Sequence, residues 1–125
     1  MRIDDTRPIW VQLAQEFAGK IASGLWASGT RISSVRELAG EMGVNPNTVQ
    51  RALGQLDADG LTVTERTAGR YVTTDQNTIA QARHQLASNT TDAYIATIAS
   101  LGLELDEATK LLAARWVEYP QGDAS

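Results

Sequence analysis

The chain has 125 residues, 42% hydrophobic and 21% charged, which is the composition of an ordinary globular domain with or without a small appendage. It contains no cysteine, so disulfides and thiolate chemistry are excluded, and no apolar run approaches the length of a membrane span. The formal net charge of -4 argues against a broad phosphate-binding surface, because such a surface needs an excess of Lys and Arg.

Pro8 is a favoured first-turn residue and opens a first helix. Trp10, Leu13, Ala14, Phe17 and Ile21 recur at three and four and form one apolar face. Gly24 ends the helix, Ser28 and Gly29 make a turn, and Thr30 to Ile32 is a short extended piece. Ser34 and Glu37 fit a capping box opening a second helix, with Val35, Leu38, Ala39 and Met42 inward and Gly43 as its stop. A third helix follows within a few residues. Asn45 is its N-cap, Pro46 its first residue, and Val49, Ala52, Leu53 and Leu56 its inward stripe, ending by Gly60. Val63 and Tyr71-Val72 read as two short strands of a hairpin, with Glu65 to Arg70 between them.

Asp75 to Asn77 is a polar joint. A helical stretch then carries Ile79, Ala82 and Leu86, followed by Tyr94, Ile98 and Leu101. The polar run Ser88 to Asp92 interrupts it and fits equally a kink, a break or the wet side of one long helix. Gly102 ends the stretch, and Asp106 is placed to cap a last helix bearing Ala108, Leu111, Leu112 and Trp116. Residues 120–125 read as a frayed tail.

Helix, tight Gly turn, helix and hairpin is the order of a winged helix-turn-helix. The expected fold is mainly α with a small β-hairpin. An N-terminal winged helix-turn-helix occupies 1–74, and a short C-terminal helical dimerisation segment occupies 75–119. The charge distribution agrees with this division. Up to Thr73 eight basic residues balance eight acidic ones; after it, three face seven. A few placed arginines, rather than net charge, must therefore carry any contact with DNA. The third helix has the two-sidedness this requires: opposite its apolar stripe it shows Asn47, Gln50, Arg51 and Gly54. Asn and Gln pair with adenine, Arg with guanine or phosphate, and the helix start at Asn45 and Thr48 favours a phosphate.

The run TRISSVRELAGEMGVNPNTVQRALGQLDADGLTVTERTAGRYV, Thr30 to Val72, resembles the GntR family of bacterial transcription regulators, and most closely its short YtrA-type branch. The preceding RPIWVQLAQEFAGKIASGLWASG is similar to that family's opening helix. The most specific part is VNPNTVQRAL, Val44 to Leu53, followed by Asp59-Gly60-Leu61. The resemblance implies DNA contacts at Ser34 and Arg36, at Asn45, Asn47, Thr48, Gln50 and Arg51 of the recognition helix, and at Arg66, Gly69 and Arg70 of the wing. Two departures are visible. Ser33 and Val35 stand where the family usually has Pro and Glu. The wing reads Arg66-Thr67-Ala68-Gly69-Arg70 against a common Arg-Gly-x-Gly-Thr, which removes one Gly and makes Arg70 a candidate phosphate contact.

The resemblance further implies a homodimer joined through the helical tail, a palindromic double-stranded operator, most often repression, and frequently control of neighbouring transporter genes. Ile79, Leu86, Tyr94, Ile98, Leu101, Leu112 and Trp116 are the candidate interface residues, with intrachain packing as the alternative for each. A small-molecule effector at that interface is compatible with the pattern, but no residue identifies one. Rival readings are a winged-helix protein-interaction module and a nonspecific DNA-architectural protein. No cofactor or metal site is expected: His84 is the lone histidine and has no ligand-spaced neighbours. No glycine-rich phosphate loop or nucleophile cluster marks an enzyme. Met1 to Trp10 lacks a signal-peptide pattern, so the expectation is a cytoplasmic protein with no membrane partner.

Overall fold

The computed structural model describes residues 3–120. In chain order the elements are α1 (Ile9–Ala22), α2 (Val35–Met42), α3 (Pro46–Ala58), β1 (Thr62–Glu65), β2 (Gly69–Val72), α4 (Gln76–Ser100) and α5 (Leu105–Glu118). The chain forms two compact units that divide between Leu86 and Ala87, within α4. Of the expected tail over 120–125, residues 121–125 lie outside the described residues.

The first unit is organised around α1. Pro8 precedes its first turn, and the Pro8 carbonyl accepts from the N–H groups of Val11 and Gln12. Leu13, Phe17 and Ile21 are fully buried on its inward face. Phe17 stacks on Trp26, with ring centroids 5.1 Å apart. Gln12 is also buried, and its amide is fully used: it accepts from Asp4 N–H (3.0 Å) and donates to the carbonyls of Asp4 and Arg7. That satisfaction is what lets a polar residue sit at a core position.

α2 starts at a complete capping box, with Ser34 Oγ accepting from Glu37 N–H and Glu37 Oε1 accepting from Ser34 N–H, both at 3.1 Å. Gly43 stops it in the left-handed region at φ 66°, where a Cβ would be strained. α3 then begins with Asn45 Oδ1 accepting from Asn47 N–H at 2.8 Å. Its far end is a Schellman turn around Gly60: Leu61 N–H reaches Leu56 O (2.9 Å) and Gly60 N–H reaches Asp57 O (3.1 Å). Val49, Leu53 and Leu56 of α3 are fully buried with Leu13, Phe17 and Ile21 of α1 in one core.

The hairpin is longer than the sequence pattern indicated. β1 and β2 pair antiparallel from Thr62↔Val72 to Glu65↔Gly69, so only residues 66–68 form the turn. The extended piece before α2 lies along β2. Ile32 N–H donates to Arg70 O and Val72 N–H to Thr30 O, both at 2.9 Å, and an isolated bridge joins Arg31 to Tyr71. Alternation along this piece buries Ile32 and leaves Arg31 exposed.

α4 is one continuous helix, which decides between the three readings of the Ser88 to Asp92 run. No Gly or Pro occurs within it, and Asn89 to Asp92 are exposed. Asp75 opens it, accepting from Asn77 N–H (3.0 Å) and Thr78 Oγ1 (2.9 Å). Its first turns belong to the core of the first unit. Ile79 is 5% exposed, Ala82 and Leu86 pack on the same cluster, and Arg83 Nε donates to Ala22 O at the end of α1 (2.9 Å). Ile79 thus packs within its own chain, the alternative reading of its apolar spacing, and Leu86 lies partly buried at the edge of the same core.

The second unit contains the rest of α4 and α5. Glu104, not Asp106, is the N-cap of α5: Leu103 and Glu104 follow the Gly102 stop, and Glu107 reaches back to Glu104 N–H at 3.5 Å. No residue of α5 is buried. Tyr94, Ile98 and Ala108 are half-buried, and Leu101, Leu112 and Trp116 are exposed. Tyr94, Ile98, Leu105, Ala108, Leu112 and Trp116 line an apolar groove of about 610 Å³. Among the described residues no helix is long and apolar enough to cross a membrane.

Candidate nucleic-acid interface

The turn between α2 and α3 sets the two helices of the motif at a fixed relation, and α3 presents its outward face. Asn47, Gln50, Arg51 and Gly54 are exposed there, and Thr48 is half-buried. The dimensions of a B-form major groove admit one such helix. Arg36 on α2 is exposed as well. Ser34 and Asn45 each hold a helix start together, so their side-chain oxygens accept from backbone N–H groups before any ligand arrives. The hydrogen bonds from Ser34 hold the Glu37 carboxyl below its ordinary range, with a smaller contribution from the Arg31 charge.

The wing residues divide by role. Arg66 is exposed on the turn, whereas Gly69 and Arg70 are half-buried. Arg70 forms a two-point ion pair with Asp57 of α3, Nε to Oδ1 at 3.1 Å and Nη2 to Oδ2 at 2.9 Å. Thr62 Oγ1 and Thr64 Oγ1 also donate to the Asp57 carboxylate. Partial burial pushes that carboxyl up, but the donors and the Arg70 charge outweigh it and leave it below the ordinary value of 3.8. Gly69 has φ 100°, and a Cβ there would lie 2.9 Å from Arg31 Nε. The Arg31 guanidinium thus lies across the backbone of the wing.

Arg31, Trp10 and Asp57 are the residues that sequence reasoning missed. Trp10 lies under Arg51, whose guanidinium carbon is 4.3 Å from the ring centroid. Strand alternation at Thr30 to Ile32 was a usable signal for Arg31. No spacing rule links Trp10 to Arg51 or Asp57 to Arg70, because both pairs join separate elements. Among the described residues no group of three or more His, Cys, Asp or Glu is placed to hold a metal ion.

Residues 11–72, from α1 to the end of β2, match the family described as bacterial regulatory proteins, gntR family. The chain is also 31% identical over 106 residues to the HTH-type transcriptional repressor YtrA of Bacillus subtilis, covering 80% of this chain and 78% of that protein. The chain belongs to the GntR family. The fold agrees: a GntR family transcriptional regulator from Listeria monocytogenes superposes with a TM-score of 0.81 at 31% identity, covering 90% of this chain and 98% of that one. The DNA-binding domain of AraR, solved in complex with operator ORE1, is 25% identical with a TM-score of 0.52, covering 58% of this chain and 89% of that chain. As a GntR protein the chain is a helix-turn-helix transcriptional regulator and not an enzyme. The matched residues contain α2, α3 and the hairpin described above, so the family assignment rests on the same elements as the geometry.

Proposed function

We propose that this GntR regulator binds a palindromic operator as a homodimer and represses the genes beside it. The observation that carries the DNA part is the face of α3. Its inward stripe is sealed in the core while Asn47, Gln50 and Arg51 stand in solvent, with Arg36 and Arg66 exposed on the neighbouring helix and turn. In this reading Asn47 and Gln50 meet base edges, Arg36, Arg51 and Arg66 meet phosphates, and Thr48 adds a hydroxyl at the helix start. Ser34 and Asn45 hold the helices that do this, and Gly69 and Arg70 shape the wing. The AraR operator complex supports a DNA-bound use of the fold.

The dimer part rests on the second unit. Leu101, Leu112 and Trp116 are exposed, and the groove between Tyr94, Ile98 and Leu105 is apolar. An exposed apolar surface of that kind marks a protein interface. A two-fold pair of chains would cover it and present two α3 helices about one helical turn, ~34 Å, apart on DNA. An apolar effector seated in the same groove would shift the spacing of those two helices, which is a route to regulation. The link to transporter genes and a cytoplasmic location complete the reading.

The test is a titration of the protein against its own upstream DNA and against random duplex, with sedimentation of the free and bound forms. Preferential binding of two chains per site is expected, and loss of expression control on deleting the gene would establish repression. No binding at low salt, or equal binding to random DNA, would overturn operator recognition. One chain per site would overturn the dimer.

A further inference from the structure

Arg51 stands on the exposed side of α3, yet its guanidinium lies over the ring of a residue in another helix. The guanidinium carbon is 4.3 Å from the centroid of the Trp10 ring in α1, and Trp10 itself is half-buried. Among the described residues the Arg51 side chain makes no hydrogen bond or ion pair. A cation over an aromatic face is held through the face of the guanidinium, and its N–H groups point outward from the edge. The stack therefore fixes where the head sits and leaves its donors open.

α1 packs on α3 through the apolar stripe that runs along the side away from the groove-facing residues. An arginine drawn back onto α1 is drawn away from the groove floor, towards the strand that flanks the recognition helix. Gln50, its neighbour, is exposed. We infer that Trp10 is a positioning residue for DNA binding, holding Arg51 edge-outward for a backbone phosphate and leaving base reading to Gln50 and Asn47. The inference deepens the proposed function and rests on it. Planar bidentate donors suit a phosphate, and pre-stacking removes part of the side-chain entropy that an Arg otherwise loses on binding.

A double-mutant cycle tests this. Wild type, Arg51→Ala, Trp10→Ala, Trp10→Phe and the Trp10→Ala/Arg51→Ala pair are titrated against the upstream fragment and a random duplex of equal length, each over a range of salt. Arg51→Ala is expected to weaken both duplexes by the same factor, about ten-fold, and to reduce the salt slope by about one. Trp10→Ala should cost about two- to five-fold, the size of an exposed cation–π contact, and nothing further once Arg51 is gone. Trp10→Phe keeps a ring and should retain most of the affinity. It also keeps the test open if Trp10→Ala unfolds. A Trp10 penalty that persists without Arg51, or an Arg51→Ala effect confined to the upstream fragment, would overturn the inference while wild-type binding stands. Wild-type protein that binds neither duplex would overturn the proposed function and this inference together.

Discussion

Arg70 of β2 holds Asp57 of α3 at two points, 3.1 Å and 2.9 Å, and so fastens the wing to the end of the recognition helix. Arg70 and Asp57 side chains are 15% and 31% exposed, which places the pair between a solvated ion pair and a buried one. The sequence made Arg70 a candidate for phosphate. Two of its guanidinium nitrogens are held by a carboxylate inside the chain, with Thr62 and Thr64 completing that carboxylate's partners. A wing held in this way keeps Arg66 at a set distance from α3.

Breaking the pair should show in stability and in its pH dependence. Asp57→Asn is expected to cost about 1–2 kcal/mol at neutral pH, after allowance for solvent screening. The folded-state pKa of Asp57 is depressed, so its contribution is fully present above the ordinary value of 3.8 and is lost as pH falls through the lower folded value. Thermal denaturation of wild type and Asp57→Asn should therefore show a gap that closes on strong acidification. A gap of constant size down to about pH 2 would remove the ionised pair as its cause.

Gly69 faces two separate demands, a positive φ and the closeness of Arg31. Gly69→Ala is expected to destabilise by about 1–3 kcal/mol. In an Arg31→Ala background the steric part disappears and only the backbone strain remains, so the same substitution should cost less there. Chemical denaturation of the four proteins measures this directly. Equal costs in both backgrounds would mean that the Arg31 side chain moves aside freely.

The two helix starts make a paired case. Ser34→Ala and Asn45→Ala should each cost about 1 kcal/mol through lost capping. Ser34→Thr and Asn45→Asp, which keep an acceptor oxygen, should recover most of it. Denaturation midpoints without DNA are the measurement. Unchanged midpoints in the alanine variants would show that the caps are not formed in solution.

Ile79 and Leu112 should separate core from interface. Ile79→Ala is expected to destabilise the fold by about 2–4 kcal/mol, because Ile79 is buried within the first unit. Leu112→Glu places a charge in the apolar groove and should shift sedimentation from dimer to monomer, with helical content retained. A Leu112→Glu protein that remains dimeric would move the interface elsewhere.

The DNA-reading helix-turn-helix was legible because its signals are local. Ser34 with Glu37, Gly43, Asn45 with Pro46, and Gly60 are capping and stop chemistry, and each depends on backbone groups within a turn of itself. The inward stripes of α1 and α3 were legible for a similar reason, since helical period alone brings those side chains to one face. What remained hidden were contacts between distant elements and assignments that depend on them. Ile79 and Tyr94 both stand on apolar stripes of α4, yet Ile79 is buried in the core of the first unit and Tyr94 is half-buried in the second. A repeat says which side of a helix is apolar and nothing about what covers it. Sequence alone determined the order of elements, the caps and the face of α3 that carries Asn47, Gln50 and Arg51. Tertiary structure decided that Arg51 rests on Trp10, that Arg70 answers Asp57 and that Arg31 crosses the wing, because each depends on two segments meeting in space.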